Sequence, residues 1–381
     1  MEIKTIHLLL LLLLAMGGAQ AQSFTQREVL LPIVNEPRHD TMQLAGTLTM
    51  PNGATEKVPA VILITGSGAQ NRDEELMGHR PFKVIAEYLS AHGYAVLRCD
   101  DRGVGGSTGD MAHATAFDFA SDVEHQVEYL QSQASGLNID PERIYLLGHS
   151  EGATVAAIVA ASRAPSPHPV AGVAMLGGAG VDGKTILLQQ NETLFRLRGL
   201  PDTLVQRRLA CMHDIFATLD TLTLGSQADT LKTINLALRP LFRQHSQGLN
   251  KEQKQQAGLT IAECYGWAMT AASPWMRTFL ALNPADHIAQ MRCPLLAIGG
   301  EKDSQVDAKQ NLKAIADACR RNNIPHDTVL LAGINHLGQK CTTGSVDEYA
   351  TLGQAPDRQV LDVLLRWLDS KSRPQTRRDA D

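Results

Sequence analysis

Apolar runs and amphipathic stretches alternate along most of this chain. Residues 29–34 and 42–50 read as two strands of a hairpin-like start, closed by the turn Pro51-Asn52-Gly53. Ala60-Val61-Ile62-Leu63-Ile64-Thr65 is continuously apolar and runs into Gly66-Ser67-Gly68. Such unbroken runs suit strands buried on both faces, as in parallel sheets. A helix is predicted over 82–92 with Gly93 as its C-terminal cap. A strand over 94–99, a Gly-rich loop over 101–110 and an amphipathic helix over 117–132 follow. Next come a strand over 143–147, an alanine-rich helix over 152–162 and a strand over 170–176. From 180 to 282 the pattern is helical and carries no clear strand. Beyond Pro294 the alternation resumes, with strands at 295–298 and 327–331 and helices at 308–322 and 357–368.

Strands alternating with helices imply an α/β fold, a mostly parallel central sheet flanked by helices. The expected organisation is a core made of residues 22–179 and 286–370, a helical cap insertion over 180–285, and a polar, disordered tail over 371–381. The first 21 residues read as a signal peptide: Lys4, leucines 8–14, then Ala19-Gln20-Ala21 as a small-x-small cleavage site. The apolar run is about half the ~20 residues needed to span a bilayer, so no stable membrane insertion is expected after cleavage. Gln22 follows the site where a lipid-anchored variant would need Cys. The expected location is therefore exported, periplasmic or extracellular.

Composition narrows the partners. Of 381 residues, 44% are apolar and 20% charged, an ordinary globular balance. A net charge of −5 and 4% aromatics leave neither the basic footprint nor the stacking surface that nucleic acid requires. Without signal and tail, about 345 residues remain, against ~250 for a large single α/β unit. The excess of roughly 100 matches the strand-free stretch. The six cysteines (Cys99, Cys211, Cys264, Cys293, Cys319 and Cys341) form no C-x-x-C, and the histidines show no metal-ligand spacing. No metal or cofactor is implied. Export leaves one or two disulfides open.

Gly148-His149-Ser150-Glu151-Gly152 is a G-x-S-x-G. By chance that pattern arises about 0.1 times in a chain of this length. Here it sits between a strand and a helix, the setting of a nucleophile elbow. Small residues on both sides let the backbones pack around a strained serine at a helix N-terminus, whose dipole favours an oxyanion. A serine hydroxyl needs a base, and the base an orienting acid, in chain order Ser, Asp/Glu, His. Strand 295–298 leads to Glu301-Lys302-Asp303, and strand 327–331 to Asn335-His336. Both fall at C-terminal strand ends, where open α/β sheets place their sites. Asp303 and His336 are the expected acid and base, with Asp307 and Glu301 as alternative acids. The oxyanion donors are expected at the backbone N–H of Glu151 and of Ser67 or Gly68.

On these motifs the chain resembles the α/β-hydrolase superfamily over about residues 27–370, and more narrowly secreted bacterial serine esterases. The resemblance is carried by the stretches beginning at Gly66 and at Asp100, by the elbow, and by Asn335-His336-Leu337. Ala69, Asn71 and Gly338 depart from the usual Pro, Asp and bulkier residue. The resemblance implies the α/β-hydrolase fold, a cap over the serine, and a structural role for the Gly-rich loop with Asp100 and Arg102 in buried polar bonds. That loop lacks G-K-[ST], so a phosphate loop is not indicated. Arg72, Asp73 and Glu74 either line the mouth of the site or brace the loop. His149 either packs beside the elbow or touches substrate. Leu194, Phe195, Leu197, Phe216, Trp267, Met269 and Trp275 of the insertion are candidates for an acyl pocket; the alternative is that most bury the insertion's own core, with two or three reaching substrate.

The expected function is an exported serine hydrolase acting on a small-molecule carboxylic ester. A thioesterase, acyltransferase or aminopeptidase-like amidase with the same triad is the alternative. A non-catalytic binding module on a hydrolase scaffold is the alternative of another class.

Overall fold

A computed structural model describes residues 23–35, 40–166, 168–223 and 227–372. The expected signal peptide and residues 373–381 of the expected tail lie outside the described residues.

In chain order the strands are β1 (Phe24–Asn35), β2 (Asp40–Pro51), β3 (Val58–Ile64), β4 (Ala95–Cys99), β5 (Ile139–His149), β6 (Gly172–Leu176), β7 (Leu295–Gly300) and β8 (His326–Leu331). They form one sheet in the order β1-β2-β4-β3-β5-β6-β7-β8. β2 runs antiparallel to β1 and β4, and β3 to β8 are mutually parallel. The α/β class and mostly parallel sheet expected from the pattern are present. Every residue of β3, β4, β6 and β7 is buried, as strands between two helical layers are. The edge strand β1 instead alternates, burying Val29, Leu31 and Ile33 while Leu30 is exposed.

One face of the sheet is covered by α1 (Pro81–Ser90) through Phe82, Ile85 and Leu89, and by the C-terminal helix Arg358–Ser372 through Leu361, Leu364 and Trp367. That last helix continues through Lys371 and Ser372, two residues assigned above to the polar tail. Tyr94 and Tyr145 reach the Ser372 hydroxyl and hold its end against the sheet. The other face carries α2 (Ala116–Ser132), α3 (Glu151–Ser162) and the helix Ala308–Arg321. The small residues of α3 are buried almost all round, which only an alanine- and glycine-rich helix permits at this spacing.

Between β6 and β7 lie the helices Gly183–Leu197, Asp202–Thr221, Gln227–His245, Lys251–Gln256, Ile261–Ala272 and Pro274–Ala281. They close on a core of their own, with Ile215, Phe216, Ile234, Leu238 and Phe242 at its centre. The site-bearing loops follow β3, β5, β6, β7 and β8. All leave the same edge of the sheet because these strands are parallel.

Candidate active site

Ser150 sits at the turn from β5 into α3 with φ 54° and ψ −119°, a conformation a side-chain-bearing residue rarely adopts. The flanking glycines make the turn possible. A Cβ on Gly148 would stand 2.1 Å from the Gly152 carbonyl oxygen, and one on Gly152 would stand 2.2 Å from that of Ile64. Backbone packs directly on backbone here. The Ser150 N–H donates to the Leu176 carbonyl at 2.9 Å, which pins the turn to β6.

Asp303 lies after β7, and its Oδ2 is 2.7 Å from His336 Nδ1. Its Oδ1 accepts the N–H groups of Gln305 and Val306 at 2.9 and 2.8 Å, so the carboxylate is fixed on both sides. The two side chains are 1% and 6% exposed. A Cβ on Gly177 would stand 3.1 Å from His336 Nδ1, so that glycine leaves room for the ring. The loop carrying His336 is cross-braced by Asn335 and Gln339, whose backbones and amides exchange hydrogen bonds. Gly338 has φ 76° and packs against Pro356, which accounts for a glycine where a bulkier residue was expected.

The alternative acids are occupied elsewhere. Asp307 caps the helix Ala308–Arg321 by accepting the Gln310 N–H, and the exposed Glu301 accepts the Gly333 N–H.

Ser150 and His336 line one cavity of about 390 Å³. Its polar wall includes Ser67, Gln70, Glu74 and Tyr349, and its apolar wall includes Ile186, Leu187, Trp275 and Phe279 from the insertion. Of the seven insertion residues proposed for an acyl pocket, Trp275 alone lines it. Phe216 and Trp267 belong to the insertion's own core, and Leu197 and Met269 are exposed. The packing of Phe216 and Trp267 follows the alternative of a self-packed insertion, because a helical pattern marks which faces are apolar but not which partner they meet. Phe279, stacked on Trp275 at 5.5 Å, was not singled out at all.

Of the oxyanion candidates, Glu151 is the first residue of α3, and Ser67 lines the cavity while Gly68 does not. The Gly66 N–H is already donated to Glu74 Oε1 at 2.7 Å. The Glu151 side chain is buried, which raises its carboxyl against the opposing pull of bonds from Ser67 and Trp275.

The loop after β3 is braced rather than free. Arg72 pairs with Asp100 at 2.8 Å and with Glu28, and Arg98 pairs with Asp73 at 2.8 Å. Asn71 Oδ1 accepts the N–H groups of Asp73 and Glu75, the turn role open to the Asp it replaces. Arg102 forms a two-pronged bond to Asp122, so the Gly-rich loop is locked by buried polar bonds. Glu74 both lines the cavity and braces. Its Oε1 lies 2.8 Å from His149 Nδ1, and His149 is buried beside the elbow.

The six cysteines are free thiols, five of them buried. Among the described residues, no cluster of His, Cys, Asp or Glu is arranged to hold a metal ion, and no helix is long and apolar enough to cross a membrane.

A parallel sheet extended by an antiparallel β2, with a strained serine at the β5–α3 turn and an Asp–His pair after the last two strands, decides the fold. The chain is an α/β-hydrolase by fold. Comparisons with known proteins agree with this α/β-hydrolase fold. DcsB, solved with a substrate analogue, superposes with a TM-score of 0.50 at 17% identity, over 92% of this chain and 100% of its own. A protein of Pseudomonas aeruginosa gives a TM-score of 0.51 at 15% identity, over 93% and 96%. In sequence, the BD-FAE family matches residues 47–169, the part of the α/β-hydrolase fold that holds the elbow. Esterase EstD of Thermotoga maritima is 24% identical over 328 residues, which cover 85% of this chain and 65% of EstD. The chain thus spans just under two thirds of that relative.

Proposed function

We propose that the protein is a serine hydrolase that cleaves carboxylic esters through an acyl-enzyme on Ser150. The reading rests above all on the 2.7 Å Asp303–His336 contact, set in the same cavity as the strained Ser150. With Nδ1 held by Asp303, Nε2 is the ring nitrogen left to take the Ser150 proton. Ser150 Oγ then attacks the ester carbonyl. The N–H of Glu151 and, since Gly66 is occupied by Glu74, that of Ser67 receive the developing oxyanion. His336 returns the proton to the leaving alcohol, and Asp303 stabilises its imidazolium. Water, activated by the same histidine, releases the acid.

Similarity to an esterase supports an ester as the substrate. The cavity supports a small molecule, with the acyl or alcohol group packed against Trp275 and Phe279. Residues 1–21 are proposed to direct export, and N-terminal sequencing of the mature protein tests that part. Replacing Ser150 with Ala should abolish hydrolysis of a short acyl ester by pure protein, whereas retained turnover would contradict the assignment. Comparing kcat/KM on matched ester, thioester and aminoacyl amide substrates tests the bond, and the ester is expected to lead.

A further inference from the structure

Beside the proposed triad lies a second buried histidine–carboxylate pair that the acyl-transfer steps do not use. Glu74 Oε1 accepts the Gly66 N–H at 2.7 Å and lies 2.8 Å from His149 Nδ1. The other ring nitrogen, His149 Nε2, is 3.0 Å from the carbonyl oxygen of His336. The two side chains are 8% and 5% exposed, so solvent does not stand in for these bonds. One chain of contacts therefore runs from the loop after β3, through the residue before Ser150, to the backbone of His336.

We propose that Glu74 and His149 are positioning residues for the reaction, forming a bridge that sets the Gly66–Ser67 backbone and His336 at a fixed spacing around Ser150. This rests on the reading that Ser150 and His336 carry the chemistry. A carbonyl oxygen only accepts, so His149 Nε2 bears a proton. Nδ1 faces an oxygen that already accepts from Gly66. A doubly protonated ring against an ionised Glu74 satisfies all three contacts at once. Glu74 Oε2 is buried with no hydrogen-bond partner among the described residues, so the carboxylate is held through Oε1 alone.

The charged groups facing His149 are Glu74 from the loop after β3 and Asp303 from the loop after β7. His336, after β8, brings its ring centroid to 4.9 Å. Burial disfavours charge on His149, but the Glu74 carboxylate outweighs it and pushes the ring up to about 8. Below that pH the bridge is complete. Above it the ring keeps one N–H, one contact is lost, and the two loops are free to drift. Misplacing reacting groups by about 1 Å can cost on the order of 100-fold in rate.

The test follows kcat and KM for a p-nitrophenyl ester from about pH 6 to about 9.5 in wild type, Glu74→Gln and Glu74→Asp, alongside 15N spectra of the wild-type imidazoles. In wild type, kcat should fall above about pH 8. Glu74→Gln should lower kcat about 10–100-fold at pH 7 with KM within about threefold, and should move the alkaline limb to lower pH. Glu74→Asp, which keeps the charge, should recover part of both. A purely structural role would lower the amplitude without moving the limb, and that result overturns the proposal. So does a singly protonated His149 at pH 7 in wild type, a measurement that needs no variant to fold. A wild type with no esterase activity would instead overturn the ester-hydrolase reading and the positioning role with it, while the doubly protonated ring would still appear.

Discussion

The indole N–H of Trp275 donates to both carboxylate oxygens of Glu151, at 2.8 and 3.0 Å, tying the helical insertion to the residue directly after Ser150. Trp275→Phe keeps the stack on Phe279 and removes the donor. It leaves a buried carboxylate with Ser67 as its side-chain donor. A loss of about 1–3 kcal/mol is expected. Urea unfolding at neutral pH, with KM measured in parallel, checks both the stability and the shape of the cavity wall.

The elbow glycines should tolerate no side chain. Gly148→Ala and Gly152→Ala each drive a methyl into backbone at 2.1–2.2 Å, so activity should collapse and stability fall by about 3 kcal/mol or more. Gly136 has nothing within 4 Å of its notional Cβ and no positive φ, so Gly136→Ala should be neutral or stabilising by up to about 1 kcal/mol. Thermal melts of the three variants give the comparison.

Three carboxylates competed for the role of acid on chain order alone, and substitution should separate them. Asp303→Asn should lower kcat by about 10³–10⁴-fold. Asp307→Asn should touch only the helix cap, at about 1 kcal/mol or less, and Glu301→Gln should change neither rate nor stability measurably. Steady-state kinetics with circular dichroism melts decides among them.

Asp101 predicts a pH dependence of stability. It accepts bonds from the Thr65 hydroxyl and the Gln70 N–H at 2.6 and 2.9 Å, yet burial pushes its carboxyl up to about 7. A carboxyl raised in the folded state holds its proton longer there than in the unfolded chain, where it is released near 4. Its contribution is complete below about pH 4 and is lost as pH rises toward 7. Asp101→Asn does not titrate. The stability of wild type relative to this variant should therefore decline between about pH 4 and 7, and parallel urea titrations would reveal it.

The sheet was legible in the chain because strands buried on both faces must be continuously apolar, as 60–64 and 295–298 are. The β1–β2 hairpin was readable only in part. Its solvent-facing stretch Thr25 to Glu28 carries no apolar alternation although it pairs throughout. The elbow and the placement of Asp303 and His336 at strand ends were readable because glycines and polar residues follow apolar runs there. The Glu74–His149 bridge was not, since it joins residues 75 apart through loops whose path no periodicity records. The cavity wall was hidden for a similar reason. Trp275 and Phe216 look alike in a helical pattern, and only the packing of the insertion sends one toward Ser150 and the other into its own core.

The proposed mechanism passes through acylation of Ser150. Rapid mixing of the protein with a p-nitrophenyl ester, quenched in acid and followed by intact and peptide mass spectrometry, reads this directly. A burst of one p-nitrophenolate per chain is expected, with the acyl mass on the peptide containing Ser150, and neither in Ser150→Ala. Steady turnover without an adduct, or an adduct on another residue, would contradict it.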